Sequence, residues 1–104
     1  MLERTFTTSR GVIHYWTSAT AERDAPQLVF LPGLTADHRL FERQIDYFEG
    51  RFPVMVWDAP GHAASWPFEL NFSLMDKAGW VDDILMTERF KRPAIIGQSM
   101  RGSL

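Results

Sequence analysis

Cysteine is absent from all 104 residues, which excludes a disulfide framework and any thiolate metal site. The three histidines, His14, His38 and His62, are scattered, and no metal or organic cofactor is expected. Runs of like charge are also missing, and the net charge is only -2. The chain therefore lacks the basic patch that nucleic acid or an anionic membrane surface would select. Apolar runs reach only about five residues, against the roughly twenty that span a bilayer. The opening Met1-Leu2-Glu3-Arg4-Thr5-Phe6 has no apolar stretch of the signal-peptide kind. The expected compartment is the cytoplasm, with neither nucleic acid nor membrane as a partner.

What is present suits a globular domain. Hydrophobic residues make up 45% and charged residues 23%, too apolar a mixture for disorder, and the length allows one domain at most. Eight Phe and four Trp read as a bulky core. Thr5–Thr8 and Val12–Thr17, rich in Thr, Val, Ile and aromatics, read as two antiparallel strands around Ser9-Arg10-Gly11. Gln27–Leu31 and Pro53–Trp57 are apolar on both faces, the pattern of strands covered from both sides, as in a parallel sheet. Asp37 can cap a helix over about His38–Phe48, with Leu40, Phe41, Ile45 and Phe48 at helical spacing. Ser73 and Asp76 form a capping-box-like start to a second helix, whose apolar stripe is Leu74, Ala78, Val81 and Leu85. Ala94–Gly97 is a last short strand. Strands alternating with helices imply an α/β fold with right-handed crossovers and a parallel sheet.

Ligands in such sheets bind beyond the carboxyl ends of the strands. Three loops leave those ends: Pro32-Gly33-Leu34, Asp58–Ser65 and Gly97–Gly102. The last is the most informative. A buried run ends in Gly97, Ser99 follows two residues later, and a helix would begin just beyond, which is the layout of a nucleophile elbow. A serine hydroxyl needs a general base and backbone N–H groups aimed at the developing oxyanion. The N–H of Met100 would supply one donor and that of Leu34 the second, since Gly33 lets the backbone approach closely. The same stretch also fits G-x-x-x-x-G, but Ser103 stands where a phosphate-binding loop needs lysine, so nucleotide binding is rejected.

Three motifs in order resemble the α/β-hydrolase superfamily across essentially the whole chain: Phe30-Leu31-Pro32-Gly33-Leu34, Asp58-Ala59-Pro60-Gly61-His62-Ala63-Ala64-Ser65, and Gly97-Gln98-Ser99-Met100. The resemblance implies an antiparallel hairpin leading into a parallel sheet of order 1-2-4-3-5 flanked by helices. It implies Ser99 as nucleophile, with Leu34 and Met100 as oxyanion donors. Gly33, Gly97, Gly102, Asp58 and Gly61 would set elbow and loop geometry, and His62 would shape its loop or line the pocket. His38 reads as a solvated first-turn residue, Asp58 as a turn-fixing carboxylate. Three positions depart from the family's pattern: Pro32 where His is usual, Ala63 where Gly is usual, and Arg101 at the second glycine of G-x-S-x-G.

In this family the triad's acid and histidine follow the serine in chain order, and neither residue type occurs in Met100–Leu104. Residues 1–104 thus read as a partial core domain that stops just after the elbow. The expected function is the N-terminal segment of a serine hydrolase cleaving an ester or related acyl bond of a small molecule. The 104 residues by themselves are expected to be inactive. The alternative is a non-catalytic truncated paralogue acting as a binding or interaction module. An apolar strand at 94–97 with an open edge is also expected to self-associate.

Overall fold

The computed structural model describes residues 1–18, 26–32, 37–91 and 93–97. It opens with an antiparallel hairpin of β1 (Leu2–Thr8) and β2 (Gly11–Thr17), paired in register from Leu2↔Thr17 to Thr8↔Gly11. Thr8 makes the turn: its Oγ1 accepts the N–H groups of Arg10 and Gly11 at 3.1 Å and donates to the Gly11 carbonyl at 2.8 Å. β1 begins three residues earlier than the side-chain pattern suggests. Leu2, Glu3 and Arg4 are exposed, and only backbone pairing makes them a strand.

β3 (Leu28–Leu31), β4 (Val54–Trp57) and β5 (Ala94–Gly97) complete a five-stranded sheet of order β1-β2-β4-β3-β5. β2 meets β4 antiparallel, while β3 pairs parallel with both β4 and β5. The order is the one the family resemblance implies. Helices cover both faces for a topological reason. The chain steps from β3 to β4 in one direction and from β4 back past β3 to β5 in the other. Right-handed crossovers must then lie on opposite faces. A 3-10 turn (His38–Phe41) and α1 (Glu42–Phe48) form the first crossover, and α2 (Leu74–Thr87) forms the second.

Strand alternation sorts the core accordingly. Phe30, Val54 and Val56 pack with Phe41 and Ile45 on the α1 face. Val29, Met55 and Trp57, with Ile13 and Tyr15 of β2, pack with Val81, Ile84 and Leu85 on the α2 face. Both helices differ from the expected stripes. Leu40 and Leu74 are exposed, and Ala78 is exposed as well. Of the expected α2 stripe Val81 and Leu85 are buried, joined by Ile84, with Lys77 and Trp80 half-buried beside them. The start of α2 is as expected, with Ser73 and Asp76 satisfying each other's backbone N–H groups. β5 is an edge strand among the described residues, with Ile95 half exposed.

A polar clamp fastens the far end of α2 to the hairpin. The Tyr15 hydroxyl donates to Glu88 Oε2 at 2.6 Å, and Arg4 Nε donates to the same oxygen at 2.8 Å. Burial first, then the adjacent Glu88 carboxylate, raises the Tyr15 hydroxyl from 10.0 to about 12. A group held protonated more tightly when folded stabilises the fold fully below its unfolded value and loses that contribution as pH climbs through the folded value. Stability should therefore decline between pH 10 and about 12. Tyr15→Phe should cost about 1–2 kcal/mol near neutrality and remove that alkaline decline, as read by urea unfolding across pH.

Candidate functional site

The carboxyl ends of the three parallel strands form one row. Leu31 pairs with Gly97, and Phe30 with Val56, which sets Trp57 beside Leu31. The loops that leave this row carry every residue singled out for chemistry. Gly97 closes β5 at the row itself. Gly33, Leu34, Ser99, Met100 and Gly102 lie outside the described residues, as does Arg101. Asp58, Gly61 and His62 are brought together in the loop after β4.

Asp58 is the centre of that loop. Its side chain has no exposed surface, a costly place for a carboxylate unless its oxygens are filled. Oδ2 accepts the N–H of Ala64 at 3.0 Å, while Oδ1 accepts the backbone N–H of His38 at 2.7 Å and His38 Nδ1 at 2.9 Å. The Asp58 backbone is held as firmly. Its N–H donates to the His14 carbonyl at 3.0 Å, and its carbonyl accepts Ser65 Oγ–H at 2.6 Å. Ser65 Oγ in turn accepts the N–H of His14 at 2.9 Å. The last serine of the Asp58–Ser65 motif thus ties the loop to β2 and to its own first residue.

His38 differs from the solvated residue suggested by its sequence position. Besides its two bonds to Asp58, its ring stacks on Trp16 with centroids 3.7 Å apart and planes inclined by 22°. It keeps 32% of its side-chain surface exposed. It borders an open cavity of about 350 Å³ between the sheet and α1, floored by Trp16, Ile45 and Val56. The partnership was not visible in the sequence, because 20 residues separate the two groups and no local spacing links them. His62 turns inward on its own loop, with Nδ1 at 3.1 Å from the Pro60 carbonyl. His14 pairs with Glu3 at 2.9 Å on the exposed face of the hairpin. Lys77 was also missed. Its Nζ lies 6.0 Å from the Trp57 ring centroid, and partial burial lowers its pKa.

Backbone geometry explains two small residues of the loop. Gly61 has φ +84°, and Ala63 has φ +46°. Both lie in the left-handed region, which costs an L-residue about 1–2 kcal/mol. Ala63 is the position where the resembling family has glycine, and it is exposed, so no packing depends on its methyl group. Ala63→Gly should stabilise the protein by about 0.5–1 kcal/mol, the relief of strain exceeding the entropy that glycine adds to the unfolded chain. The midpoint of chemical denaturation checks this.

No family model matches the chain. It is 32% identical over 95 residues to the magnesium-chelatase 30 kDa subunit of Rhodobacter capsulatus, an alignment covering 90% of this chain and 34% of that protein. Among solved structures it resembles a hydrolase from Pseudomonas aeruginosa (TM-score 0.79, 20% identity, 93% of this chain and 36% of the other). It also resembles the enol-lactonase of Burkholderia xenovorans (TM-score 0.78, 23% identity, 93% and 37%). A haloalkane dehalogenase of Bradyrhizobium elkanii superposes almost as well (TM-score 0.76, 15% identity, 94% and 32%). The chain spans about a third of the length of each of these proteins. With the strand order and the assignment of helices to faces, these likenesses show that the chain has the α/β-hydrolase fold, of which it carries the N-terminal part.

Proposed function

We propose that the chain is the N-terminal part of a serine hydrolase that cleaves an ester or related acyl bond of a small molecule. Ser99 is the nucleophile. Its Oγ attacks the acyl carbon and its proton passes to a base. The carbonyl oxygen carries the charge until the alkoxide departs with that proton, leaving an acyl-Ser99 that water then hydrolyses. The N–H groups of Leu34 and Met100 meet the oxyanion, each such donor being worth about 3–4 kcal/mol in studied enzymes. The triad's acid and histidine belong to sequence beyond Leu104, following the family's chain order.

The observation that carries this reading is the row of strand ends. Leu31, Trp57 and Gly97 stand side by side, and the three loops that leave them hold the Gly33-Leu34 pair, the Asp58–Ser65 turn and Gly97-Gln98-Ser99. Ligands bind at this edge in open parallel sheets. The dehalogenase likeness does not compete at the level of the nucleophile, because serine rather than a carboxylate stands at position 99.

A second reading draws on the chelatase relative: a non-catalytic α/β-hydrolase module serving an assembly that handles magnesium. Ala63 and Arg101, which replace the family's glycines, favour it. One experiment separates the two readings. The full-length protein should be labelled by a fluorophosphonate, and Ser99→Ala should abolish labelling and lower ester hydrolysis at least about 10³-fold. A properly folded full-length protein that resists the probe supports the module instead.

A further inference from the structure

We propose that Asp58 and His38 are positioning residues for the acyl-transfer site, holding the chain that leaves β3 against the chain that leaves β4. The inference rests on the reading of Ser99 as nucleophile. It adds to that site two residues that never touch the acyl group.

The need for such a tie follows from the topology. β3 and β4 are neighbours, but their outgoing chains part to opposite faces, one toward α1 and the other toward α2. Backbone pairing between β3 and β4 ends at Phe30↔Val56, and beyond it the ladder does nothing to keep the two exits together. The hydrogen bonds that join the two exits among the described residues run through one carboxylate. Closing the turn after β4 requires only Oδ2, which caps Ala64; Oδ1 is turned the other way and takes both donors of His38. Asp58 therefore does more than fix its own turn.

The tie is stiff at both ends. Asp58 is bonded through its N–H and carbonyl to the His14–Ser65 network, and the His38 ring is held flat on Trp16. The chain from β3 is thus anchored at Leu31 by its pairing with Gly97 and again at His38 by Asp58. The proposed donor Leu34 lies in the short span between these anchors in the sequence. Displacing a catalytic group by about 1 Å can cost about 100-fold in rate, so loosening the second anchor should be felt in the chemical step rather than in substrate binding.

Replacing Asp58 risks the fold, so the test uses His38. Phenylalanine keeps a ring on Trp16 but has no donor. Asparagine loses the ring yet carries its amide nitrogen the same number of bonds from Cα as Nδ1, so it can still donate to Oδ1. The full-length protein is assayed with p-nitrophenyl acetate and with a fluorophosphonate. His38→Phe should lower kcat and the labelling rate by about 10- to 100-fold with KM little changed, and His38→Asn should recover most of the loss. Equal losses in the two variants, a loss confined to KM, or a loss that follows melting temperature would overturn the proposal. Ser99→Ala keeps the two claims apart. If that variant is silent, the nucleophile stands whatever His38 does; if it still turns over ester, the Ser99 reading fails and this inference with it.

Discussion

The Asp58 carboxylate sits in the dry seam where the α1 and α2 layers part, and the local structure is built around making that tolerable. An ionised group fully removed from water is stable only when its lone pairs are filled. Filling them fixes the 3-10 turn at Ala63–Ser65 on one side and the start of the first crossover on the other. The left-handed backbone at Gly61 and Ala63 is a consequence. The chain must reverse within a few residues to bring the N–H of Ala64 back to a carboxylate six positions earlier. Strain at Ala63 is offset by the bonds that the reversal completes.

Much of the fold was legible because it rests on side-chain periodicity. β3 and β4 are apolar on both faces and prove to be the strands covered on both sides. Ser73 and Asp76 mark the start of α2 to the residue. Strand order is a different matter, since no periodicity encodes it; it came with the resemblance of three motifs in sequence. What misled was the assumption that apolar residues define the buried face of a helix. Lys77 is half-buried with its Nζ 6.0 Å from the Trp57 ring centroid, while Leu74 and Met75 stay in solvent. Hydropathy does not mark Lys77 for the inner side, and of Leu74, Ala78, Val81 and Leu85 only Val81 and Leu85 are buried.

The turn after β4 was legible as a loop but not as a network. Glycines and small polar residues pointed to the carboxyl edge, and the structure brings Asp58, Gly61 and His62 together there. The partner of Asp58 was invisible because the bond depends on two crossovers lying on opposite faces, a tertiary fact. The edge itself is chemically neutral. A hydrolase, a lactonase and a dehalogenase superpose on the same five strands with similar TM-scores. The fold thus supplies a place for chemistry, and the residues that follow the strands select the reaction.

Why aspartate occupies position 58 follows from counting donors. Three N–H groups converge on its side chain: two from backbone amides and one from His38 Nδ1. An asparagine of the same size would turn an NH₂ group toward one of them, leaving two buried donors facing each other, which costs more than a missing bond. Glutamate would push the carboxylate outward by one methylene, past the Ala64 amide. Only a short side chain that accepts on both oxygens fits. The same count fixes His38. Because Oδ1 only accepts, His38 must carry a proton on Nδ1. A side chain that satisfies a turn thereby also holds the ring of a histidine 20 residues away.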